Sequence, residues 1–282
     1  MAGFFGLFNY EKAGPGIRKD APKKKTFIVF FETYFRNFWK FIPINAVYTL
    51  FTILFPIAGL GHVGMTHVMR NTARDKHSFG LSDFFETAKK NWKQGLVAGI
   101  IDTLVMVILI FDLWFFRNTS TKGGTFESIC LGLSLAVVII YAMMHYYVWT
   151  LIITFKFKLT QIYRNSFKFV FLNFKNNLIC GFFLILVYAL SGFLFLLGHP
   201  IAWTIALLLN FCCLPSFRFL MIQYCAFPAI RKFIIDPYYE AHPGEDIEKR
   251  RSLGLEIPEE DEDEDNEEED GEEDPDAPVF ED

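Results

Sequence analysis

The chain has 282 residues, of which 52% are hydrophobic and 18% aromatic, with 34 Phe and a formal net charge of −5. That charge is segregated: residues 256–282 hold 18 Asp and Glu and no Lys or Arg, which leaves 14 acids against 27 bases in the first 255 residues, a balance of +13. So apolar and basic a body excludes a single soluble domain and predicts a membrane protein.

Residues 1–37 read as a cytoplasmic basic and aromatic segment. No cleavable signal is expected in it: the first 25 residues lack a 7–15-residue apolar stretch, and their basic cluster (Arg18, Lys19, Lys23, Lys24, Lys25) precedes the first apolar run. Lys23-Lys24-Lys25 is too short to argue nucleic-acid binding, so no nucleic-acid partner is expected, and it reads as a topology determinant.

Residues 38–234 are expected to form one transmembrane helical domain. Residues 41–69 form a 29-residue run without charge, but Pro56 interrupts it and Gly59, Gly61 and Gly64 follow. The pieces on either side of the break would be about 22 Å and about 20 Å long as helices, each short of a ~30 Å hydrocarbon core. A helix, a break and a returning piece are therefore expected: a broken N-terminal membrane hairpin. Pro56, Gly59 and Gly61 have two readings. Unwound backbone at membrane depth offers polar groups to a ligand, as in transporters, or the segment is a tight turn packed within protein.

Four plain spans are predicted after it: residues 95–116, 128–153, 176–197 and 201–223. Gly95 and Gly99 give the first a small-residue face for close helix contact. The last two form a hairpin turned by Gly198-His199-Pro200. Loop charge orients them, with sixteen Lys and Arg in residues 61–94, 154–177 and the segment after the last span, against only Arg117 and Lys122 on the other side. Both termini are placed in the cytoplasm, the N-terminus because the Pro56 break turns the chain back.

A short repeat supports that return. Phe30-Phe31-Glu32-Thr33 recurs as Phe84-Phe85-Glu86-Thr87, with Asn37 matching Asn91, and a weaker third copy aligns Phe171, Lys175, Asn177 and Gly181 with Phe85, Lys89, Asn91 and Gly95. Each copy is a basic, aromatic stretch suited to a membrane surface with anionic lipid. Residues 235–282 read as a disordered acidic tail, too poor in apolar residues to fold.

Ionisable residues inside spans are costly, so each is a functional candidate. Asp102, His145 and Arg218 all fall in the inner half of the bilayer. They could line a polar cavity open to the cytoplasm. Alternatively Arg218 snorkels, Asp102 is satisfied by a neighbouring helix, and His145 packs beside Tyr141, Tyr146 and Tyr147. Asp112 is expected to pair with Arg117, and Asn45 and Asn210 to make interhelical hydrogen bonds. His62 and His67, five residues apart, point about 140° apart and make no metal face. The five cysteines lie in apolar stretches without a CxxC pair and read as small buried hydrophobes. With no Walker, GxGxxG, HExxH or GxSxG motif, no catalytic residue, cofactor or metal is indicated.

The run Gly3-Phe4-Phe5, Phe8-Asn9-Tyr10-Glu11-Lys12, Gly14-Pro15-Gly16 and Asp20-Ala21-Pro22 through Lys25 resembles YesL-like bacterial membrane proteins. So do Phe31-Glu32, Phe35 through Lys40, Asn45, the Pro56…Gly59 break and Phe85 through Asn91. The resemblance covers about residues 3–230 and leaves out the acidic tail. It implies a small multi-pass protein of the bacterial cytoplasmic membrane, often encoded near carbohydrate-utilisation genes and sugar ABC transporters, whose activity is not established. It supplies no site residues. The leading expectation is an accessory or assembly component for sugar ABC uptake, with membrane lipids and ABC permease subunits as partners. A small-molecule transporter with an inner-leaflet polar site is the alternative, and a membrane enzyme a weaker third. Oligomeric state is not legible in the sequence.

Overall fold

The computed structural model describes residues 26–76, 78–120 and 124–241. The segment 1–25, with its basic cluster, and residues 242–282 of the tail expected from residue 235 lie outside the described residues; residues 235–241 are helical rather than disordered, with Ile235 and Tyr239 buried against the bundle. What is described is all-helical.

Eleven α-helices follow a pattern repeated three times: a short amphipathic helix, then a helical hairpin. In the first unit α1 (Thr26–Arg36) leads into α2 (Phe38–Ile53) and α3 (Ala58–Ala73). In the second α4 (Leu81–Lys90) leads into α5 (Trp92–Ser120) and α6 (Thr125–Thr154). In the third α7 (Leu159–Leu172) leads into α8 (Phe174–Leu196) and a return made of α9 (Pro200–Leu208), α10 (Leu214–Ile230) and α11 (Asp236–Ala241). The three entry helices bury equivalent positions: Phe30, Thr33 and Tyr34; Phe84, Thr87 and Ala88; Ser166, Phe169 and Val170.

Each entry helix ends at an asparagine in the bridge region of backbone space: Asn37 (φ −104°, ψ 7°), Asn91 (φ −102°, ψ 22°) and Asn173 (φ −116°, ψ 30°). In the first two units the amide Nδ2 donates back to the carbonyl four residues earlier, Thr33 at 3.0 Å and Thr87 at 3.3 Å, which stops one helix and lets the next leave at a new angle. In the third the hinge is Asn173, not Asn177 as the sequence alignment placed it. The two asparagines sit one helical turn apart, and Asn177 is buried in α8, where its Nδ2 donates to the carbonyls of Phe169 and Val170, each at 3.2 Å.

The broken hairpin forms as expected. A 3₁₀ turn at Phe55–Ile57 separates two 16-residue helices, each about 24 Å long. They run antiparallel: Arg36 pairs with Asp75, Tyr48 reaches His62, and Gly61 lies under Phe51. α3 is the centre of the bundle, with Gly61 through Thr66 and Val68 through Arg70 all buried.

Four helices are long and apolar enough to cross a membrane: α5, α6, α8 and the continuous helical run Pro200–Ala241. Much of their apolar surface faces outward, with Ile108 64% and Ile185 71% exposed, a surface suited to lipid rather than water. The last run is longer than the expected 201–223. Past Pro200 it takes in three prolines, Pro215, Pro228 and Pro237, and its π segments at Leu209–Cys213 and Arg231–Ile235 end two residues before Pro215 and Pro237. Pro215 has no N–H for the Phe211 carbonyl, and the extra residue frees carbonyls just before it. Two of these are used. Tyr34 donates to Cys213 O at 3.0 Å, and Asn45 Nδ2 to Cys212 O and Ser216 Oγ. Burial pushes the Tyr34 hydroxyl up to about 12, keeping it a donor.

The expected small-residue face meets the broken segment. A Cβ on Gly59 would lie 2.0 Å from Gly95 O, and one on Gly99 would lie 2.7 Å from Gly59 Cα. Gly59→Ala should therefore cost about 1–3 kcal/mol through overpacking. Gly132→Ala, whose Cβ meets nothing within 4 Å, should gain up to about 1 kcal/mol of helix propensity. Thermal unfolding in detergent distinguishes the two; equal behaviour would remove the crossing as the reason for Gly59.

Candidate functional site

Asp102 on α5, His145 on α6 and Arg218 on α10 converge. His145 Nε2 lies 3.2 Å from Asp102 Oδ2, and Arg218 Nη2 lies 3.1 Å from His145 Nδ1. The His145 and Asp102 side chains are 12% and 17% exposed. Tyr141, one turn before His145, donates to Asp102 Oδ1 at 2.8 Å, so both carboxylate oxygens are engaged.

Arg218 only donates, so His145 Nδ1 must accept and Nε2 carries the proton that goes to Asp102. Trp149 Nε1, one turn further on, also lies 3.0 Å from Nε2. Its indole N–H is a donor only, so a neutral imidazole cannot serve Arg218, Asp102 and Trp149 together. The cluster carries one donor more than His145 can satisfy.

A second histidine joins it. His62 stacks on Trp149 with centroids 4.7 Å apart and planes at 25°, and meets His145 edge-on at 5.4 Å. His62 Nδ1 lies 2.7 Å from Ala58 O, which can only accept, so Nδ1 is protonated and Nε2 accepts from Tyr48 OH at 3.4 Å. Ala58 is the first residue of α3 after the break. The two candidate regions are thus joined through His62. Gly59 and Gly61 themselves make close packing contacts, and the backbone of Pro56 lies in the 3₁₀ turn. From the neighbouring α7, Tyr163 reaches Ala98 O at 3.4 Å. Its hydroxyl is pushed up to about 12 by burial first and by the Asp102 charge second.

Other expectations resolve differently. Asp112 accepts from Ser134 on α6, and no Asp112–Arg117 ion pair forms among the described residues. His67 pairs with Asn71 at 3.0 Å. Asn45 and Asn210 make the expected interhelical bonds, Asn210 to Ser191 and Asn45 around Ser216. Arg70, counted from sequence as a loop charge, is 2% exposed and donates to Thr154 Oγ1 at 2.9 Å and Ile153 O at 3.4 Å, a cation seated on the C-terminal carbonyls of α6. The sequence reading missed Tyr48, His62 and Trp149 as members of the cluster. The spacing of Tyr141, His145 and Trp149, four residues each, was the available signal, since it puts all three on one stripe of α6.

These features define a polytopic helical membrane protein with a polar cluster between its inner helices. A family model described as "Protein of unknown function, DUF624" matches residues 41–113, from the start of α2 into α5, a stretch that holds Gly59, Gly61 and Asp102. That family includes YesL-like membrane proteins, which this chain resembles. No curated protein and no solved structure matches the chain.

Asp102→Asn keeps the shape of the side chain but sets an N–H₂ against either the Tyr141 hydroxyl or the His145 N–H. A loss of about 1–3 kcal/mol is expected, read as a lower unfolding temperature in detergent. An unchanged unfolding temperature would show that the carboxylate plays no part in holding α5 to α6.

Proposed function

We propose that the protein is an accessory or assembly component for carbohydrate uptake in the bacterial cytoplasmic membrane, acting by helix packing and by contacts made at its basic end. The observation that carries this reading is the internal closure of the polar groups: both Asp102 oxygens bond within the bundle, and the Asn45 amide is taken up by Cys212 and Ser216. Polar groups so used fix helix positions and leave the apolar outer faces of α5 and α8 for a partner's helices. The link to carbohydrate uptake rests on the resemblance to YesL-like proteins. Placement of both termini in the cytoplasm rests on loop charge, which the hairpin return of α2 and α3 supports.

A second reading, a small-molecule transporter in its own right, draws on the surplus donor around His145. Ionisable groups at membrane depth that cannot all be satisfied at once are where proton or substrate coupling is found.

Purification of the tagged full-length protein in mild detergent should recover sugar ABC permease subunits, and an Asp102→Asn variant that still folds should recover them equally. Recovery of no permease, with sugar uptake by liposomes holding the purified protein alone and lost in Asp102→Asn, would replace the first reading by the second.

A further inference from the structure

At the end of the bundle where α1 hinges into α2 lies a cavity of about 270 Å³, with none of the Asp102 cluster in its lining. Three cationic side chains line it: Arg36, Lys40 and Lys76, against one carboxylate, Asp75. Its floor is apolar, formed by Phe41 and Ile44, each 2% exposed.

The carboxylate is already committed. Asp75 pairs with Arg36 and adopts φ +51°, the left-handed region that Asp tolerates better than most non-glycine residues. The nearby Asp83 is engaged by Ser78 Oγ at 2.8 Å and Phe79 N at 3.0 Å and does not line the cavity. The Arg36–Asp75 pair is exposed and keeps the guanidinium on the lining. Lys40, exposed in the first turn of α2, makes no ion pair among the described residues. The lining itself sets three cations against one carboxylate at two helix ends, the last turn of α1 and the first turn of α2.

We propose that this cavity binds a phosphate-bearing anion. A guanidinium fork and ammonium point charges are the groups that recognise tetrahedral oxyanions, and this cavity brings one of the first and two of the second to one place. The volume falls just below the range of pockets that enclose whole drug-sized ligands, so it suits a head group rather than a lipid with its chains. The apolar floor receives the uncharged edge of the phosphate's substituent. Two sources share this chemistry, an anionic phospholipid head group at the membrane surface and a soluble phosphate ester, and the test separates them. The inference is independent of the proposed accessory role.

Thermal unfolding of the full-length protein is followed in dodecyl maltoside with increasing sn-glycerol 3-phosphate, and in nanodiscs of phosphatidylglycerol against phosphatidylcholine. The wild type should be stabilised in at least one arm: by the soluble ester if the ligand is soluble, or only by phosphatidylglycerol if it is a lipid head group. Lys40→Gln and Lys76→Gln should each weaken the apparent affinity about fivefold, and Lys168→Gln, an exposed lysine on α7 outside the cavity, should not. No wild-type response in either arm, a response that Lys40→Gln leaves intact, or an equal loss in Lys168→Gln would overturn the proposal.

Discussion

The contact of Gly59 with Gly95 and Gly99 sets the geometry from which the inner part of the bundle follows. With hydrogen in place of a Cβ, the backbones of α3 and α5 touch directly. His62 lies one turn past Gly59 and Asp102 one turn past Gly99, on the same stripes of their helices. Bringing the glycines together therefore carries His62 and Asp102 toward α6, where Trp149 and His145 receive them. In lipid an unsatisfied polar group has no water to turn to, so this close approach decides whether the inner polar residues are stabilised or exposed to hydrocarbon. The break at Phe55–Ile57 belongs to the same arrangement, because it sets the angle at which α3 enters and leaves Ala58 O to fix the tautomer of His62.

Hydropathy and charge carried most of the architecture. Long charge-free runs can only be helices in a bilayer, so the four spans were legible, and a proline followed by three glycines made the broken hairpin legible. Counting residues inward from one side of the membrane gave Asp102, His145 and Arg218 a common depth, and left open whether they meet. What hid the rest was chemistry that one-dimensional spacing does not distinguish. Asn173 and Asn177 look alike in a sequence, yet one is a hinge and the other a buried bond donor. Arg70 counts as a loop charge until its position against the end of α6 is known. The π segments leave no mark beyond Pro215 and Pro237, whose alternative is an ordinary kink. Asp112 had a cation close in sequence, while its partner, Ser134, lies on the neighbouring helix.

The three asparagine hinges give the molecule a common end. α1, α4 and α7 each bury one face of three or four side chains and then turn into a membrane helix, so the amphipathic layer is continuous with the bundle rather than attached to it. Phe30 packs edge-on against Phe217 and Tyr224 of α10, and Phe169 stacks on Tyr147 of α6 at 5.0 Å. Charge on this layer and polarity within the bundle are therefore held by one aromatic framework, with Asn173 bonded to both Tyr147 and Cys225 across it.

The π segment at Leu209–Cys213 makes this framework mechanical. One extra residue in the turn advances the rest of the helix by about 100° relative to an uninterrupted α-helix, and that rotation is what presents Arg218, five residues on, to His145. The carbonyls released by the insertion are held by Tyr34 from α1 and Asn45 from α2. A tilt of α1 at the membrane surface must then either break the Tyr34–Cys213 bond or turn α10 about its own axis. Through that bond, and the Tyr224–Thr33 bond at 3.2 Å on the same two helices, the surface layer is geared to the Arg218 guanidinium.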